Sequence, residues 1–311
     1  MLQSLINYIY RYPKSRLKLY SSFGGWVAYQ SMLHNRDRMK RYAAQLPPVQ
    51  SWNDGQRVYF LTGKNYLYQT LFCIQSMHRV AGERLHITIV DDGSFDAEMI
   101  RMVNRLLPGV TLIMEEQVQW YLDQLLPTTQ YPYLRAKRLE YPHLRKLTDI
   151  HALDGSSWKL VLDSDMLFWQ KPDEIFHWLK QPVQPVYMQD CTESYGYSQA
   201  LMQQLCGMQL PRLLNVGVIG LNSGQIDWCK LDSWIKILEE KEGGSYYLEQ
   251  ALTAMLIGDR PSTVLNRQKY LVNPHITAVA KREGVLHHYV DVSKKAYFND
   301  AWKKVFFNED A

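Results

Sequence analysis

The stretch "WKLVLDSDMLFWQKP", Trp158 to Pro172, sets two aspartates one residue apart at the end of an apolar run. "KLVLDSDMLFW" reads as a strand, and its first half is apolar enough to be buried. In an open α/β sheet, ligands bind beyond the carboxyl ends of the strands. Asp163 and Asp165 stand at such an end. Residues i and i+2 of an extended segment face the same side. Two carboxylates there repel each other unless something positive lies between them. Mg²⁺ and Mn²⁺ prefer carboxylates, waters and substrate phosphates over an all-protein cage, so a cation would resolve the repulsion and still accept a diphosphate. As an isolated motif the pair is weak, because two solvated turn aspartates look the same. The buried strand before it favours a site.

Outward from this stretch, strand and helix alternate. Arg57–Gly63, Leu85–Val90 and Val110–Met114 read as strands, and Val183–Asp190, Leu213–Ser223 and Gly284–Val290 as further ones. Asn65–Val80 has helical spacing, with Asn65 a candidate cap, and Phe95–Leu107 is helical up to Pro108-Gly109. Ala136–Leu153 reads as helical with Pro142 near a start or a kink; Ile226–Lys241 and Ser245–Asp259 are two more helices. The alternation predicts an α/β fold with a largely parallel sheet.

The chain has 311 residues, 46% of them hydrophobic, enough for a sizeable core in one large domain with an appendage. The break at "QLPPVQSWNDGQ" places the boundary: a helical N-terminal arm over residues 1–52 and the α/β domain over 53–311. Residues 1–50 hold eight basic residues against Asp37 alone, a formal +7, which leaves about −3 for the remainder of a chain that is +4 overall. Tyr8, Tyr10, Tyr12, Tyr20, Phe23, Trp26 and Tyr29 lie among those charges. The mixture suits an anionic membrane surface; it equally suits an arm packed on the domain with its basic face in water. No nucleic-acid module is legible. The four cysteines lie far apart and form no disulfide framework, and no secretory leader or bilayer-length apolar run is evident. A cytoplasmic protein is expected, peripheral on the inner membrane face if the arm binds lipid.

The aspartates have company downstream. "LLNVGV" puts Asn215 and Gly217 at the start of a strand, where a glycine lets backbone approach a ligand. "YYLEQALTAML" puts Glu249 and Gln250 at the start of an apolar helix, and "LHHYVDVSK" carries His287, His288 and Lys294. Each alone is weak; their order and spacing are informative. In that order the sequence resembles the GT-A glycosyltransferases, most of all the retaining type represented by glycogenin and the bacterial lipooligosaccharide galactosyltransferases. The resemblance covers roughly Arg57 to Lys294.

The resemblance implies a GT-A fold, a Rossmann-like mixed sheet, mostly parallel and flanked by helices. It implies Asp163, Asp165 and His288 as ligands of Mn²⁺ or Mg²⁺, His288 being chosen over His287 because it precedes an aromatic residue. Strand alternation independently turns only one of the two histidines to the site. Lys294 would pair with the diphosphate of a nucleotide-sugar donor. Thr62, Asp91, Ser164, Asn215 and Gly217 would line the donor site, Asp91 reading the base. Lys146 is the best match for the family's basic donor contact, with Arg138 and Arg145 as competitors. Glu249 and Gln250 correspond to the pair near the anomeric carbon, and Asp190 to a carboxylate near the acceptor, which would be a glycan, a lipid-linked sugar or a small molecule. Glu249 stands where the family has Asp, Asp291 where it has Gly, and Lys295-Ala296 where it has Pro-Trp, which marks a remote relative.

The activity implied is metal-dependent glycosyl transfer to a hydroxyl, with retention. A sugar-phosphate nucleotidyltransferase is the alternative enzyme, but its Gly-rich first loop is missing from "FLTGKNYLYQ". A non-catalytic nucleotide-sugar-binding protein is the third reading, and the intact Asp163, Asp165 and His288 argue against it. Tyr195, Tyr197, Trp228, Tyr246 and Tyr247 could face a sugar or fill the core.

Overall fold

The structure, a computed structural model, describes residues 12–307. Tyr8, Tyr10 and Arg11 of the basic arm lie outside the described residues. Strands β1 (Gln56–Thr62), β2 (Leu85–Asp91), β3 (Thr111–Ile113) and β4 (Trp158–Leu162) form the parallel half of a seven-stranded sheet. After β5 (Met166–Phe168) come β6 (Val186–Gln189), β7 (Leu214–Asn222) and β8 (Thr263–Val264), which complete that sheet in the order β3-β2-β1-β4-β7-β6-β8. β7 runs antiparallel to both neighbours. β9 (Tyr270–Val272) and β10 (Leu286–His288) make a small second sheet with β5, in the order β5-β10-β9.

The sheet is central because its strands are apolar on both faces: every residue of β2 is buried, as are Leu160, Val161 and Leu162 of β4. Helices cover both faces and their starts are set by side chains. Asp96 accepts from the amides of Glu98 and Met99 to open helix Ala97–Leu106, and Asp227 accepts from Lys230 to open Trp228–Glu242. Asn65 does not cap. That helix runs Leu67–Ala81, and the Gly63 carbonyl accepts from the amides of Tyr66 and Leu67 instead. The expected helix Ala136–Leu153 is two helices, Pro132–Glu140 and Arg145–Ala152, separated by a tight turn Pro142–Leu144. Proline has no N–H to continue the ladder.

The opening stretch is not one strand. β4 ends at Leu162, the chain bends through Asp163-Ser164-Asp165, and β5 joins the other sheet. Two backbone bonds fix this corner. The Asp163 amide donates to the Gly217 carbonyl of β7 at 2.8 Å, and the Tyr289 amide donates to the Asp165 carbonyl at 2.9 Å.

Helix Trp26–Ala43 buries Met32, Met39 and Ala43 in the same core cluster as Phe72 and Trp302, and exposes Lys40 and Arg41. The Tyr42 ring packs 5.5 Å from Trp302 and 4.7 Å from Phe306 of the last helix, Trp302–Phe307. Among the described residues, no helix is long and apolar enough to cross a membrane.

Candidate functional site

The corner between the two sheets brings the two aspartates to His288. β10 pairs antiparallel with β5, His288 opposite Met166, so the imidazole stands beside Asp165. His288 Nε2 is 3.2 Å from Asp165 Oδ1 and 3.6 Å from Asp163 Oδ2, and one ligand atom from each of the three residues lies within 4.8 Å of the others. Ligands about 2.1 Å from a common ion and at right angles stand about 3 Å apart. Two carboxylates and an imidazole at this spacing could hold a divalent metal ion. His288 Nδ1 lies 3.2 Å from Asn215 Oδ1, which accepts its proton when Nε2 is the ligand atom. His287 points the other way. Its Nδ1 takes the Trp169 indole N–H at 3.0 Å and its Nε2 meets the Glu283 carbonyl. Burial alone would lower the His288 pKa, but the hydrogen bond and charge of Asp165, with Asp163 behind it, raise it. Burial would raise that of Asp165, and His288 and Lys294 hold it low.

The three basic competitors separate cleanly. Arg138 is buried in a two-pronged pair with Asp149, at 2.6 and 2.7 Å. Arg145 donates to the Asp92 carbonyl. Lys146 alone reaches the metal group: its Nζ is 2.7 Å from Asp163 Oδ1, 3.0 Å from the Val216 carbonyl and 3.2 Å from Glu249 Oε1. Burial opposes the charge on Lys146, but the two carboxylates raise its pKa. Burial pushes the Glu249 carboxyl up to about 7, with Lys146 pulling against it. Lys294 Nζ is 3.4 Å from Asp165 Oδ2, and its side chain remains 41% exposed.

A polar chain leaves the metal group on the other side. Asn215 donates from Nδ2 to Asp190 Oδ2 at 3.0 Å, and its Oδ1 also accepts from the Gly217 amide at 2.9 Å. Beside Asp190 opens a cavity of about 200 Å³, lined by Gln189, Cys191, Arg267, Asn273 and His275 among others. The Asn273 amide donates to the His288 carbonyl at 3.0 Å, so the cavity wall and the imidazole are tied together.

Other expected residues make local bonds. Asp91 Oδ1 accepts from the amides of Gly93, Ser94 and Phe95 and so builds the turn after β2. Thr62 accepts from Thr70 at 2.8 Å, and Thr70 is 2.8 Å from Ser164, which links the end of β1 to the aspartate corner. Thr70 carries no signal in the sequence; its role follows only from where its helix is docked. Gly217 packs against the imidazole. A Cβ there would lie 2.5 Å from the His288 ring, so the glycine makes room for the imidazole. Gln250 donates to the Ser194 carbonyl at 3.0 Å. Tyr195, Tyr197 and Trp228 are core residues, whereas Tyr246 and Tyr247 are exposed.

No model of a known protein family matches the sequence, and no curated protein sequence does. Solved proteins share its fold. The chain is similar to a galactosyltransferase, LgtC, solved with donor and acceptor sugar analogues, at 15% identity and a TM-score of 0.53 over 81% of this chain and 95% of that one. The chain has the GT-A glycosyltransferase fold. Mouse xyloside xylosyltransferase 1, solved in its apo form, is similar too, at 15% identity and a TM-score of 0.51 over 77% of this chain and 97% of that one. The corner after β4, with its Asp-Asp-His group, thus lies in a GT-A fold that spans nearly the full length of both solved proteins.

Proposed function

We propose that the protein transfers a glycosyl group from a nucleotide diphosphate sugar to an acceptor hydroxyl, with retention at the anomeric carbon. The observation that carries this reading is the convergence of Asp163, Asp165 and His288 at the end of β4 in a GT-A fold. Asp163, Asp165 and His288 would hold Mn²⁺ or Mg²⁺, which would supply Lewis-acid stabilisation of the leaving diphosphate.

The chain's own side chains take separate tasks. Lys294 keeps a long contact to Asp165 and an exposed flank, so its ammonium can turn to a phosphate oxygen and stabilise negative charge there. Lys146 has three oxygens around its three N–H donors, so it is a positioning residue that holds Asp163 and Glu249 rather than a donor contact. Glu249 and Gln250 stand at the head of helix Leu248–Ile257, where a carboxylate and an amide can steady a positively charged anomeric centre. Asp190 faces the cavity and is oriented by Asn215, which suits it to an acceptor hydroxyl. Thr62, Asp91 and Ser164 then shape the donor pocket through the loops they pin.

A nucleotide-sugar panel with Mn²⁺ and simple glycoside acceptors tests the reading. Turnover of at least one donor is expected, with a product of the donor's anomeric configuration by NMR. An inverted product contradicts retention, and no turnover or hydrolysis of any donor contradicts the transferase.

A further inference from the structure

The transfer reaction leaves one surface unexplained. Helix Tyr12–Ser22 and helix Trp26–Ala43 form a hairpin joined at Gly24-Gly25, whose φ values of 87° and 100° are open to glycine. Tyr29 closes the hairpin from inside, with ring centroids 5.3 Å from Tyr20 and 5.6 Å from Phe23. The residues on either side of the turn face water although they are apolar: Leu17 is 67% exposed, Trp26 59% and Val27 74%. Their neighbours are basic. Lys18 is exposed between Leu17 and Leu19, and Lys295 Nζ lies 3.0 Å from where a Cβ on Gly24 would sit. No acidic residue occurs anywhere in residues 1–36.

We infer that this hairpin docks the protein on an anionic bilayer surface. Charge decides the occupant. Large apolar side chains in an acid-free segment, with Lys18 and Lys295 beside them, match the interface of a membrane with negative headgroups, where tryptophan is favoured and each basic residue adds attraction. A second copy would have to present the same basic, acid-free segment to this one, and like charges would oppose it. The docking is a surface association, since no described helix spans a bilayer.

The hairpin also lies close to the metal group. Lys295 touches the Gly24 turn, and the adjoining Lys294 reaches Asp165 at 3.4 Å. Val292, two residues before, is 49% exposed on the same connection. A docked hairpin therefore holds the mouth of the site at the headgroup layer, within reach of an acceptor carried in the membrane. That consequence rests on the proposed transferase; the docking does not.

Co-sedimentation of the full chain with vesicles separates the two. Binding is expected to vesicles of phosphatidylglycerol and phosphatidylcholine, weakened by salt, and not to phosphatidylcholine alone. The double variant Trp26→Ser/Val27→Ser and the single variant Lys18→Glu are each expected to weaken partitioning about tenfold or more, with Mn²⁺ and nucleotide binding unchanged. Absence of binding to the anionic vesicles, or binding of both variants like the parent chain, overturns the docking. So does a concentration-dependent dimer that Trp26→Ser/Val27→Ser abolishes, because the surface would then belong to a second copy.

Discussion

Gly217 holds the metal group's shape by having no side chain. A methyl group there would come within 2.5 Å of the His288 ring and 2.9 Å of Asn215 Oδ1. Gly217→Ala is expected to displace the imidazole and cut Mn²⁺ affinity about 10–100-fold in a metal titration, the range seen when a ligand's supporting partner is lost; unchanged affinity would count against the ligand set. Lys146 works by charge. Its removal leaves Asp163 and Glu249 facing each other without a cation, so Lys146→Met is expected to lose roughly 3–5 kcal/mol in urea unfolding. Adding Glu249→Gln is expected to recover part of that loss, and strict additivity of the two would contradict the coupling. The candidate metal group Asp163, Asp165 and His288, with Lys294 beside it, is legible in the sequence because each residue sits in a local motif. The Lys146–Glu249 pair and the Asn215 bridge between Asp190 and His288 are not, because they join residues 103, 25 and 73 positions apart. No spacing rule reports such contacts.

Elements show the same division. β1, β2 and β7 were readable because a doubly buried strand is a short apolar run between turn signals. The β4–β5 corner was not, because Met166-Leu167-Phe168 is as apolar as the run before it. Only its pairing with β10 reveals the change of sheet. Helices Glu115–Leu125, Asp173–Lys180 and Gln199–Cys206 carry little signal in the sequence, being short stretches with polar residues interleaved. The helix of the basic arm is more than an appendage in energetic terms, since it packs on the last helix through Tyr42 and Trp302. Trp302 is fully buried and its indole donates to the Phe298 carbonyl at 2.7 Å. Trp302→Ala is expected to destabilise the protein by about 3–5 kcal/mol in denaturant titration. A loss under about 1 kcal/mol would mean that the arm and the last helix do not share the core.

At the scale of the whole molecule, two buried histidines couple stability to pH. Burial holds His151 at about 3 and His287 at about 4, so both stay neutral in the fold. The unfolded chain takes their protons near the ordinary value of about 6.5. Acid therefore draws the equilibrium to the unfolded state. The stability is complete above pH 6.5 and falls as the pH drops toward 4, by up to roughly 1.4 kcal/mol per unit for each histidine. Denaturant midpoints measured across that window are expected to fall less steeply in His151→Gln than in the parent chain; parallel curves would refute the assignment. The proposed function requires the corner between the two sheets to bind a metal ion and a diphosphate. Calorimetry of UDP and GDP with and without Mn²⁺, on the full chain and on Asp165→Ala, tests this most directly. Nucleotide binding that requires Mn²⁺ in the parent chain and is lost in Asp165→Ala is the expected result, and metal-independent binding or none at all would contradict it.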